Sequence, residues 1–214
     1  MKINRKLIDV LSEFDGCDGN ETKLWSKFKN LSKYFFFGGY LTVNGRRKIF
    51  LRDIEFYYHE EEGRVKDYSM AHRNTKTTRE EYLATGEINA LPTGMKISFE
   101  NKEKQYRAAM LIRGFSVVEP GEEMTEKYDA YPTHLYQEIF RGLTLQDGIH
   151  LEWVENPLSV DEGQMKSTFR YNVPEFDYNG NRMEKDATCV SASDVTANKR
   201  YKQDKRLWRF IREI

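Results

Sequence analysis

The alternation of apolar and polar positions divides the chain into a helical start, a long run of strands and a turn-rich end. Ile3, Leu7, Ile8, Leu11 and Phe14 recur at helical spacing and predict an amphipathic helix, ended by the turn Asp15-Gly16-Cys17-Asp18-Gly19-Asn20. Thr22 is placed to cap a second, short helix carrying Leu24, Trp25, Phe28 and Leu31. The aromatic run Tyr34-Phe35-Phe36-Phe37 then leads into a strand reaching Val43, and Asn44-Gly45 predicts a tight hairpin. In the returning strand, from Lys48 to His59, side chains alternate between two faces. Phe50, Ile54, Phe56 and Tyr58 share one face, broken by Arg52, and Asp53, Glu55, Tyr57 and His59 share the other. The first face reads as core and the second as a place for chemistry.

Residues 60–87 are polar and read as a long excursion, of the kind that often carries function. Strands are predicted over Glu87 to Leu91 and Met95 to Glu100, and the turn Asn101-Lys102-Glu103-Lys104-Gln105 leads into the apolar strand Arg107 to Phe115. Arg113 interrupts that strand, and a buried arginine needs a carboxylate or backbone carbonyls to face. A helix starting at Pro132-Thr133 carries Leu135, Tyr136, Ile139 and Phe140 as its apolar stripe and stops near Gly142. A strand from Ile149 to Val154 follows, then a turn-rich stretch with weak strand character over Phe169 to Val173. Leu207 to Ile211 forms either a terminal strand or a helical turn. The pattern predicts one α+β domain, a curved and mostly antiparallel sheet flanked by helices. Residues 1–33 form a helical segment packed on the core and residues 34–214 the α/β part.

Composition narrows the reading. An aromatic content of 14% supplies a packed core. With 34 basic and 34 acidic residues the formal net charge is zero, which argues against a nucleic-acid binder unless charge is segregated. Segregation is visible in the acidic Glu60-Glu61-Glu62 and in the basic end formed by Lys199, Arg200, Lys202, Lys205, Arg206, Arg209 and Arg212. Cys17 and Cys189 form no CxxC pattern and read as reduced thiols. No signal-peptide pattern and no apolar run near ~18 residues is present, so a cytoplasmic monomer away from membranes is expected. The Asp15 to Asn20 turn lacks the spacing of a calcium loop, His59-Glu60-Glu61-Glu62 is not a zinc-binding HExxH, and there is no phosphate-cradling glycine loop. No cofactor is expected.

The order of several short motifs resembles the methylpurine (3-methyladenine, alkyladenine-type) DNA glycosylase family. Glu55 and Tyr57, Ala71-His72, Thr77-Thr78-Arg79, Gly94-Met95, Leu111-Ile112-Arg113 and Trp208-Arg209-Phe210 occur in the family's order, over roughly Gly38 to Phe210. The resemblance implies that fold, and excision of a modified purine from DNA by water attack on the N-glycosidic bond. It implies Glu55 as general base and Arg113 as the cation orienting it, a pairing that would keep the carboxylate ionised. Tyr57 and His72 would wall the base pocket, with His59 as rival to His72 and with Met95 and Asn101 beside them. Arg79, Lys96 and Arg209 are the candidate contacts to nucleic acid. The strand Glu87 to Thr93 carries no aromatic residue where the family places a stacking ring and a wedge. Two alternatives therefore stand: a catalytically silent module binding nucleic acid or protein, and a hydrolase of free or single-stranded nucleosides.

Overall fold

The computed structural model describes residues 5–70, 81–91, 94–123, 128–141, 148–159, 161–185 and 200–213. Among the described residues three α-helices and a curled, mostly antiparallel sheet form the fold, as the apolar pattern predicts. Helix α1 (Arg5–Ser12) sets Leu7 and Leu11 into the core, joined by Phe14 just beyond it. Helix α2 (Glu21–Phe37) is longer than the sequence suggests. Leu24, Phe28, Leu31 and Phe35 form one stripe at helical spacing, so the aromatic run completes the helix instead of opening a strand. Its N-cap is Asn20, not Thr22: the Asn20 side chain accepts the Lys23 N–H at 3.0 Å. Burying the whole stripe also joins residues 5–33 to the rest, since α2 runs unbroken across position 33.

Strands β1 (Gly39–Val43) and β2 (Arg47–Glu60) make the expected hairpin. Asn44 and Gly45 both take positive φ, and the Arg46 N–H donates to the Val43 carbonyl at 3.0 Å. Gly39 admits no side chain, because a Cβ there would lie 2.1 Å from the Val154 carbonyl oxygen on β6 (Leu151–Glu155). Strands β3 (Ile88–Leu91), β4 (Gly94–Ser98) and β5 (Tyr106–Val118) extend the sheet on the other side, giving the order β3-β4-β5-β2-β1-β6. β8 (Arg209–Arg212), paired with β7 (Met165–Thr168), takes the β2 edge that β1 leaves free after Ile49. The chain end is therefore a strand, and the weak strand expected over Phe169 to Val173 lies a few residues earlier, at β7. Helix α3 (His134–Phe140) buries Leu135 and Ile139, but Phe140, expected in its stripe, is 54% exposed.

The β2–β5 ladder contains the feature that positions everything else. Leu51 pairs with Phe115, Asp53 with Gly114, and Ile54 with Ile112, so Arg52 on one strand and Arg113 on the other are bulged out of register. Each arginine interrupts its apolar run because it is the bulged residue. The bulge also switches faces. Before it, Ile49 and Leu51 point into the main core; after it, Ile54, Phe56 and Tyr58 do. Phe50, expected on the core face, instead packs against Tyr40 with ring centroids 5.2 Å apart. Beyond the bulge, Phe56 stacks on Phe28 at 4.4 Å and meets Phe210 edge-on at 5.9 Å. Each such buried ring contributes about 1.5–3 kcal/mol.

Candidate functional site

Antiparallel register places residues in rows across the sheet, and the rows define the site. Glu55 pairs with Leu111, Leu111 with Lys96, and Lys96 with Asn89, so one row crosses β2, β5, β4 and β3. Tyr57, Ala109 and Ser98 form the next row. Successive strands lie about 4.8 Å apart, so the Glu55 and Lys96 backbones are roughly 10 Å apart on one face. This is the polar face that the alternation predicts. A small apolar cluster of Tyr57, Met70, Ala109, Leu111 and Val173 floors it, separate from the main core on the other side.

Glu55 is completely buried. The Tyr57 hydroxyl donates to one of its carboxylate oxygens and the Tyr171 N–H to the other at 2.9 Å. The Arg113 guanidinium stands 3.8 Å from that second oxygen. This separation is too long for a hydrogen bond, so Arg113 acts on Glu55 by charge. Burial, reinforced by the Glu55 charge, drives the Tyr57 phenol well above its ordinary pKa, so it stays a donor. Gly114, beside the bulge, leaves room for an aromatic neighbour: a Cβ there would lie 2.8 Å from the Tyr128 ring and 3.0 Å from the Asp53 side chain.

Tyr171 is the residue sequence reading missed. Its backbone binds Glu55 while its ring is 56% exposed, and the guanidinium carbons of Arg113 and Arg209 lie over that ring at 4.8 and 6.0 Å. It sits in the turn-rich stretch, where neither periodicity nor a motif marks it. Arg209 is oriented by a fork onto Asp53, its Nε 2.9 Å from one oxygen and its Nη2 2.5 Å from the other. That hydrogen bonding to Asp53 raises the Arg209 pKa despite partial burial.

The other predicted residues disperse. Lys96 lies on the site face, its ammonium 4.3 Å above the Tyr57 ring. Met95 does not: it alternates with Lys96 and is buried in the main core on the opposite side of the sheet. Asn101 lies further along the ladder, where its side chain accepts the Lys104 N–H at 2.9 Å and closes the β4–β5 turn. His59 is buried at the far end of β2, its Nδ1 accepting the Asp67 N–H at 3.1 Å. Burial, with the Lys66 charge, lowers its pKa and favours the neutral ring. His72 and Arg79 lie outside the described residues, as does Cys189. Cys17 is buried and donates its thiol to Glu60 at 3.2 Å; burial pushes its pKa up to about 11. Among the described residues no His/Cys/Asp/Glu group could hold a metal ion, and no helix is long and apolar enough to cross a membrane.

A second buried charge cluster adjoins the site and was also invisible in the sequence. Arg170 is completely enclosed and binds Asp67 and Asp204, both at 2.5 Å, while its guanidinium lies over Tyr57 at 4.9 Å and Trp208 at 5.1 Å. Arg206 closes the network on Asp204 at 2.6 Å. No protein-family model matches the chain, and neither a curated protein nor a solved structure matches it at a significant level.

Proposed function

We propose that the chain hydrolyses the N-glycosidic bond of a modified purine nucleotide in DNA, with Glu55 as the general base. The observation that carries this reading is the meeting of the buried Glu55 carboxylate, the bulge-directed Arg113 and the exposed Tyr171 ring. A carboxylate beside the sugar accepts a proton from the attacking water and balances the oxocarbenium charge that develops as the base leaves. Arg113 supplies the charge that holds the carboxylate in place. Tyr171 offers the stacking surface that the strand before Gly94 lacks; stacking one base on an aromatic ring contributes roughly 1–3 kcal/mol. Arg113 and Arg209, over the same ring, supply cations for the adjoining phosphates. Because Glu55 is enclosed, the reaction calls for the Tyr171 segment to move aside when substrate binds.

A second reading, a catalytically silent binding module, is favoured by that same enclosure. Both Glu55 oxygens already accept hydrogen bonds, as they would in a purely structural role. The test is release of free base from duplex and single-stranded oligonucleotides carrying alkylated or deaminated purines, with wild type and Glu55→Gln side by side. Release that is lost in the variant supports hydrolysis; a folded wild type that releases nothing from any of them leaves the binding module.

A further inference from the structure

A hollow of about 530 Å³ lies on the site face, over Ala109 and Ser98 and between Met70, Asn89, Leu91 and Lys96. Its origin is a size mismatch within the rows. Small Ala109 and Ser98 follow the large Tyr57, so the row that begins with a ring ends with a gap. Lys96 lines this gap. Among the described residues its ammonium has no carboxylate at ion-pair distance and no hydrogen-bond acceptor; its one close partner is the Tyr57 ring at 4.3 Å. An amine held in this way is unusual, since lysines on protein surfaces keep their ammonium groups in water.

The surroundings decide what the amine can do. Burial lowers the Lys96 pKa; the Asp67 and Glu55 charges oppose this, and the Arg170 charge adds a smaller lowering. Burial thus eases loss of the ammonium proton, and a lysine held out of water with no ion-pair partner can serve as a nucleophile. Glu81 and Glu87 stand on the walls and disfavour anionic ligands, while the Glu100 carboxylate is already paired with Arg107 at 3.3 Å. Asn89 donates its amide N–H to the Ser98 Oγ at 3.0 Å, which leaves the Ser98 hydroxyl proton for a ligand.

We infer that this hollow is a second site, in which the Lys96 amine forms an imine with an uncharged aldehyde or ketone. The nitrogen lone pair forms the C–N bond as the carbonyl π electrons move to oxygen, which takes a proton to give the carbinolamine. Loss of the remaining nitrogen proton and departure of that oxygen as water then give the C=N bond. Glu87 and the Ser98 hydroxyl line the same hollow and are the groups available there to accept and donate these protons. The site does not depend on the hydrolytic reading of Glu55.

The experiment uses propanal with cyanoborohydride at pH 7, which reduces the imine to a stable amine, followed by peptide mass mapping. Lys96 is expected to be the dominant site, ahead of the exposed Lys102 and Lys205, and Lys96→Arg to lose that adduct while keeping slow labelling elsewhere. Labelling of Lys102 and Lys205 as fast as Lys96, or of those two alone, overturns the inference from the wild-type map itself. Glu55→Gln removes a charge that raises the Lys96 pKa and is expected to label Lys96 at least as fast as wild type, so loss of base release and loss of imine formation are read separately.

Discussion

Asp67 and Glu55 are both completely buried carboxylates, yet their surroundings differ. Asp67 takes two guanidinium contacts from Arg170, a third from Arg206 at 3.5 Å, and hydrogen bonds from the Ser69 N–H and hydroxyl. Glu55 has two hydrogen bonds and one cation held at 3.8 Å. A carboxylate has about four lone-pair positions. Around Asp67 they are filled, and the charge is committed to holding the strand ends, the loop after β2 and the Asp204 segment together. Around Glu55 capacity remains, and the cation that would fill it stops short. Saturation is what a group serving the fold shows; incomplete saturation of an equally buried charge is what the role proposed for Glu55 calls for.

The largest effect comes from breaking the saturated cluster. Arg170→Met leaves Asp67 and Asp204 enclosed without their main counter-charge, and urea unfolding is expected to show a loss of about 3–5 kcal/mol. Acid probes the same cluster from the other side. Burial alone would raise the pKa values of Asp67 and Asp204, but Arg170 foremost for Asp67, and Arg206 for Asp204, hold both below the usual carboxylate range. Such groups bind fewer protons folded than unfolded, so their stabilisation is complete above about pH 5, begins to fall at about pH 4 and is lost as pH passes through their depressed folded pKa values. Urea midpoints between pH 7 and pH 3 are expected to fall steeply in wild type and less in Arg170→Met, where the depression is removed. An equal fall in both would place the acid sensitivity elsewhere.

Tyr171→Ala sharpens the comparison at the open end. Its ring is exposed, so stability is expected to change by no more than about 0.5 kcal/mol. Affinity for a single-stranded oligonucleotide, followed by fluorescence anisotropy, is expected to weaken by about 1–3 kcal/mol if a base stacks there. Unchanged affinity would remove the stacking role.

Much of the architecture was legible because it rests on local pattern. Asn44-Gly45 fixed a hairpin, the alternation after Ile54 fixed two faces, and short apolar runs fixed β3 to β6. Two errors have one cause each. The Tyr34 to Phe37 run reads as strand by residue type, but the stripe begun at Leu24 carries the helix through it. Alternation alone places Phe50 on the wrong face because a bulge reverses it at Arg52, and only the partner strand reveals a bulge. Within the site, Glu55, Tyr57 and Lys96 share a face because strand register follows from alternation and turns, whereas Arg113 approaches Glu55 from the bulge. Met95 differs from Lys96 by one position and so falls on the other face. Arg170, Asp204 and Tyr171 come from a stretch without periodicity, so their approach to β2 is a matter of tertiary packing that no local signal records.

The measurement that tests the account most directly pairs two readouts on Glu55→Gln: release of modified purines from oligonucleotides, and urea unfolding. The substitution keeps the shape and removes the charge, so the account predicts loss of release with a stability change of about 1 kcal/mol or less. A large loss of stability, comparable to that of Arg170→Met, with no release detectable in folded wild type, would contradict it and make Glu55 a structural carboxylate like Asp67.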